Sequence, residues 1–271
     1  MAKPQPQMKR MDRRDLLTGK YGQGNLDLKN SKDSLYAYAK LLGSANNAMV
    51  HYSLEGTIFA YLPNGAQKLI GFQAILKGVW EKIDQDSYSY KLFESGFFHH
   101  LDSKNYIETF DNPITNKKNQ LSNIKGGPYK TVIKPRQLDW VISGDDVWIQ
   151  EPKTRIGYFG VSKPNNQDKE TSFANTIFRG KISDLNDESS IAPSMMTYNY
   201  ISPWYPFFEM DDVDGKMYWQ AVGIKIQSWS DVPKSMKNFL KAKQKNYFES
   251  TNPWSEPTST LKHYRDNNKQ K

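Results

Sequence analysis

The chain has 271 residues, of which 37% are apolar, 24% charged and 13% aromatic, a mixture that suits a folded domain and excludes a disordered chain. It contains no cysteine, which excludes disulfides, thiolate metal sites, cysteine nucleophiles and iron–sulfur clusters, and no apolar run approaches the roughly 18 residues of a membrane-spanning helix. The net charge of +8 is concentrated at the ends: residues 1–33 carry eight Lys/Arg against four Asp/Glu, residues 234–271 carry nine against three, and the middle is net −2.

The first 33 residues are polar, with Pro4, Pro6, Gly19, Gly22 and Gly24 among scattered charges, and read as a flexible arm. Within it, Met11 to Leu17 (MDRRDLL) looks like the opening of a twin-arginine export signal but continues without the apolar stretch such a signal needs, so the expected location is cytoplasmic.

From Leu35 to about Trp229 the pattern is β throughout: short segments rich in Tyr, Phe, Val, Ile and Trp, punctuated by Gly, Asn, Asp and Pro. Val50 to Leu62 alternates strictly, and Pro63-Asn64-Gly65 turns the chain into Lys68 to Ile83, where Gly71 and Gly78 suggest a bulge or bend. Further strands are predicted over Tyr88 to Leu101, Tyr106 to Phe110, Thr131 to Ile133, Arg155 to Phe159, Ser172 to Ile182, Met196 to Ile201 and Met217 to Trp229. A hairpin at Leu138 to Gln150 turns at Ser143-Gly144-Asp145-Asp146. About ten to twelve strands in one domain imply closure, because an open sheet exposes its edges. The expected fold is all-β: a single antiparallel β-barrel, calycin-like, over residues 34–250. After Trp229, Met236, Phe239, Leu240, Tyr247 and Phe248 fall at roughly helical spacing and predict a closing helix, followed by a strap and basic tail over residues 251–271.

Familiar catalytic signatures are absent: no P-loop, no G-x-G-x-x-G, no G-x-S-x-G elbow and no H-E-x-x-H. Four histidines (His51, His99, His100, His263) lie in three regions, and the rings of His99 and His100 point to opposite faces, so neither a metal nor a cofactor is expected. The chemistry is sought instead on strand faces that mix aromatic and polar residues. His51, Ser53 and Glu55 share one face of the 50–62 strand; Glu55 is a candidate acid or base with His51 as its complement, unless that face simply meets solvent. Arg179 on the 172–182 strand is a candidate anion holder, the alternative being a structural ion pair with Glu151 or Asp184. Met195 to Met210 packs six aromatics around two prolines, so Trp204, Tyr205, Phe207 and Phe208 form either a lid over a pocket or a plug in the barrel. Tyr198 is a candidate proton donor; Tyr200, Trp204, Trp219, Phe59 and Trp140 are candidate wall residues.

Several motifs resemble, in order, those of the family named domain of unknown function 1838, found in uncharacterised bacterial and fungal proteins. They are Glu55-Gly56-Thr57, Gly71-Phe72, Trp140 with Gly144-Asp145-Asp146-Val147-Trp148, Arg179-Gly180 with Asp184-Leu185, Tyr198 to Met210 with Ser202-Pro203-Trp204 and Pro206, Tyr218-Trp219, and Asn252-Pro253-Trp254. The resemblance runs from about Leu35 to Tyr264, with the Ser-Pro-Trp stretch its most specific part. It implies a single domain and supplies neither an activity nor catalytic residues.

These observations support two readings of one cavity. In the first, a cofactor-independent isomerase, cyclase or lyase folds a small, largely apolar metabolite against aromatic walls while an acid/base pair moves a proton. In the second, the same cavity stores or carries the molecule without chemistry. Nucleic acid is disfavoured as a partner because the basic excess sits in the ends and not on a folded face among aromatics, although Lys241, Lys243 and Lys245 could face phosphates. No membrane contact is expected, and a homo-oligomer is left open.

Overall fold

In the computed structural model, residues 26–84, 86–136, 138–159 and 169–268 are described. Most of the polar arm, residues 1–25, therefore lies outside the described residues, as do residues 269–271 of the basic tail. The strict alternation of Val50 to Leu62 becomes β1 (Ala48–Leu62), whose even positions Val50, Tyr52, Leu54, Ile58 and Ala60 are all buried on the concave side. A two-residue turn at Pro63-Asn64 pairs Leu62 with Gly65 and leads into β2 (Gly65–Asp84). The register slips at Ile58/Phe59, where β2 carries the extra residue Leu69, beside the Gly71 that the sequence pointed to.

β3 (Ser87–His99), a small ribbon of β4 (Thr109–Asp111) and β5 (Lys118–Gln120), and β6 (Ile124–Ile133) follow. The predicted 138–150 hairpin is β7 (Val141–Ser143) and the start of β8 (Asp146–Tyr158), with Gly144 at φ 61°, a left-handed conformation suited to glycine. Then come β9 (Lys169–Lys181), β10 (Met195–Ser202) and β11 (Lys216–Ile226). Nine of these strands form one antiparallel sheet in the order β6-β3-β2-β1-β11-β10-β9-β8-β7.

That order corrects the expected closed barrel. The sheet curls into a half-barrel whose edges face each other without a backbone ladder: the Arg155 guanidinium lies 5.9 Å from the Tyr129 ring, and Arg136 sits 3.4 Å from Glu151. Both facing edges contain a proline, Pro128 in β6 and Pro152 in β8, and a residue without an N–H cannot complete a ladder.

A second correction concerns residues 35–42, read above as the start of the β region. They belong to helix α1 (Ser31–Leu42), whose N-terminus is capped by the Asn30 side chain accepting from the backbone N–H of Lys32 and Asp33. Tyr38 and Leu42 of α1 cover one end of the curled sheet, while Leu35, Leu41 and Ala45 pack with Trp140, Val147 and Leu185. Past the short helix α2 (Ile182–Asn186), Lys225 on β11 donates to the carbonyls of Lys40, Gly43 and Ala192, tying the C-terminal end of α1 to the sheet.

The other end is plugged by the turn Pro206–Phe208, where Phe207 and Phe208 are buried against Phe98, and by the ribbon, through Phe110 and an Asn112 bond to the Phe208 carbonyl. On the convex side, α3 (Lys234–Lys243) and residues 244–254 bury Ile75, Val79, Phe93 and Phe97 beneath Met236, Phe239, Leu240 and Tyr247. The Tyr247 hydroxyl reaches the carbonyls of Ile75 and Phe93 at 2.9 Å each. Thr258 exchanges two backbone bonds with Gly127 on the free edge of β6, after which α4 (Thr260–Asn268) runs along the plugged end.

Candidate functional site

Between the α1 end and the plug, the concave face encloses a cavity of about 370 Å³, within the range of small-molecule sites. Its apolar wall comes from Val50, Leu76, Leu92, Phe178, Met196 and Leu261, and Tyr52, Tyr90, Tyr129, Tyr198, Tyr200 and Tyr205 also line it. A side pocket of about 90 Å³ extends towards Phe72 and Trp219.

Two carboxylates line this cavity, Glu94 and Glu151, and Glu94 is the one without an ion pair among the described residues. On β3, Tyr90, Leu92 and Glu94 are the even positions that face inward, and Glu94 pairs with Gly126 of β6. A side chain at Gly126 would put its first carbon 2.6 Å from Glu94 Oε2 and 2.8 Å from the Tyr129 hydroxyl, so a bare backbone is what lets these two groups lie together. Glu94 is half-buried and lines the cavity and its side pocket, and among the described residues no ion pair within 4.0 Å holds it. Burial pushes its carboxyl above the usual carboxylate range, only partly opposed by the positive charges of Arg155 and Lys153. Burial likewise raises the hydroxyls of Tyr198, Tyr205 and Tyr129 above an ordinary phenol, with the Glu94 charge adding to each.

Along β8, Glu151, Lys153 and Arg155 are successive cavity-facing positions in the seam opposite β6. The matched register puts Lys153 beside Ala174 and Arg155 beside Ser172 of β9.

Of the residues singled out from sequence, Tyr198 and Tyr200 line the cavity, their rings stacked 6.0 Å apart. Trp219 stands in the side pocket, edge-on to Phe72 at 5.1 Å. Glu55 is on the convex face, its carboxylate held by the exposed ammonium of Lys104, because the even face of β1 is the one that curls inward. His51 is also convex: its ring stacks on Phe248 at 4.0 Å, and burial with the nearby Lys77 charge lowers its pKa to about 3. Arg179 faces outward and pairs with Asp146 at 2.9 Å, the structural ion pair with a different carboxylate from the two considered. Phe59 lies against Tyr218 on the convex side. Trp204 is core, its indole N–H donating to the Val213 carbonyl at 2.8 Å, and Trp140 donates to Ser34 of α1 at 2.8 Å. Phe207 and Phe208 therefore form a plug, while Tyr205 reaches past them to the cavity wall.

Glu94, Tyr129, Lys153 and Arg155 were missed. The signal for Glu94 was present: in Tyr88, Tyr90, Leu92, Glu94, Gly96, Phe98 a lone acid interrupts an otherwise apolar parity. Among the described residues no group of three His, Asp or Glu is arranged to hold a metal, and no helix is long and apolar enough to cross a membrane.

The family model described as Protein of unknown function (DUF1838) matches residues 47–268. The chain belongs to this family. The matched DUF1838 span contains the eleven strands found among the described residues and every cavity residue except those supplied by α1. No curated protein matches the chain.

Proposed function

We propose that the protein takes a small, largely apolar molecule into the cavity and moves a proton on it without a cofactor. The observation that carries this reading is Glu94: a cavity-lining carboxyl group without an ion-pair partner among the described residues, which burial raises above the usual carboxylate range. In an isomerisation, its carboxylate would remove a proton from a carbon next to a guest carbonyl and return it to another carbon. The oxyanion formed meanwhile would accept hydrogen bonds from Tyr198 or Tyr200, with Arg155 holding the anionic part of the guest. The roles drawn from the sequence for Glu55, Arg179 and Tyr198 thus pass to Glu94, Arg155 and Tyr198.

A second reading, a carrier without chemistry, draws on the raised tyrosines. A phenol pushed above its ordinary range donates a hydrogen bond but gives up its proton reluctantly, so the tyrosines by themselves suit recognition better than acid catalysis. Both readings are tested by extracting the purified protein, identifying the bound metabolite by mass spectrometry and incubating it with fresh protein in deuterated water. Deuterium incorporation or a new isomer, lost in Glu94→Gln that still binds the metabolite, is expected for the enzyme. An unchanged metabolite points to the carrier, and extracts with no metabolite that rebinds contradict both.

A further inference from the structure

We propose that the guest is an amphipathic monoanion, with a carboxylate head at Lys153 and Arg155 in the seam between β6 and β8 and its apolar body directed inward. This rests on reading the cavity as a small-molecule site. At the seam, among the described residues, no backbone ladder joins β8 to β6, and Arg155 of β8 lies 5.9 Å from the Tyr129 ring of β6. Of the three charged positions that β8 turns to the cavity, Glu151 already has its cation, Arg136 at 3.4 Å. Lys153 and Arg155 have no carboxylate within 4.0 Å among the described residues; Arg155 lies over the Tyr129 ring instead.

The remaining wall narrows the class of guest. Two cations two residues apart on one strand face stand roughly 6–7 Å apart at their Cα atoms, a spacing their long side chains close around one carboxylate. A dianion would also face Glu94 deeper in, and a cationic guest would meet both basic groups before reaching the aromatic wall. Beyond the head, Leu76, Leu92, Phe178 and Met196 offer surface only to an apolar body. Inward charges on an edge strand also deter pairing with a further strand. That role alone predicts no preference among guests.

The test uses the full chain and a neutral environment-sensitive fluorophore, 6-propionyl-2-(dimethylamino)naphthalene, displaced in turn by 4-phenylbutyrate, its methyl ester and 4-phenylbutyltrimethylammonium. The acid is expected to compete about tenfold better than the ester, the factor worth about 1.4 kcal/mol. In Lys153→Met/Arg155→Met that preference should fall to within about twofold while the fluorophore still binds, since the exchange removes charge but keeps an apolar stem. The two single variants, each checked by circular dichroism, stand in should the double variant fold poorly. An ester or ammonium that competes as well as the acid overturns the proposal, as does a preference that survives loss of both cations. Failure of the fluorophore to bind wild type at all instead removes the reading of the cavity on which the proposal rests.

Discussion

Glu94 and Glu55 show what a carboxylate's address does to its chemistry. Both sit on long strands of the same sheet, yet Glu55 meets Lys104 in solvent and Glu94 faces the cavity. An exposed ion pair contributes about 0–1 kcal/mol, so Glu55→Gln should leave thermal stability and guest binding nearly unchanged in a melting curve and a titration. The raised pKa of Glu94 has the opposite sign of pH dependence from a salt-bridged acid. Its stabilising share is complete below the ordinary glutamate value and is lost as pH rises through the higher folded-state value. Glu94→Gln should therefore gain stability relative to wild type as pH rises, and the two should converge in acid; denaturant titrations from pH 4 to 8 read this directly. Alternation along β1 identified a strand, but the sequence alone left open which face curls inward. The plainly apolar even face of β1 did, and polar groups reached the cavity from other strands: Glu94 on an otherwise apolar face of β3, Glu151, Lys153 and Arg155 along β8, and the tyrosines.

At the level of elements, the strands were legible because period-2 alternation and turn residues are local signals: Pro63-Asn64 and Gly144 turn the chain where the sequence placed turns. Helix α1 was not, because Ser34, Tyr36, Tyr38 and Ala39 carry weak helical periodicity and the helix is held by its Asn30 cap and by burial against Trp140 and Trp80. The failure of the barrel to close was readable in principle from Pro128 and Pro152. Their meaning emerges only once the strand order makes β6 and β8 the facing edges. The convex cover depends on one imidazole: His51 lies under Phe248 with its pKa lowered to about 3. A depressed folded-state value means that its stabilising share is present above the ordinary histidine range and is lost as pH falls from there towards 3. Residues 244–254 should thus loosen in mild acid, seen as a change in Trp254 and Trp229 fluorescence, and His51→Phe should keep the ring stack and abolish that acid-induced step.

The molecule as a whole is a curled antiparallel sheet with a helix at one end, an aromatic plug at the other and a helix with a strap behind, and the family match covers the sheet from β1 to β11. Three of its cores are solid: the plug around Phe98, Phe207 and Phe208, the layer under α1, and the convex layer under α3. Natural interiors are packed to the density of organic crystals, and a hollow of about 370 Å³ beside three such cores is compatible with a bound small molecule. The proposed guest would bring together Glu94, which has no ion pair among the described residues, the cavity tyrosines and the cations of the seam. The most direct test fills the space from its own wall. Ala174 lies on β9 and lines the cavity between Lys153 of β8 and Tyr200 of β10, and Ala174→Trp would place an indole where the guest is proposed to lie. Fluorophore binding should weaken at least about tenfold, more than about 1.4 kcal/mol, while the circular dichroism spectrum stays that of wild type. Full affinity in a correctly folded Ala174→Trp protein would contradict the account.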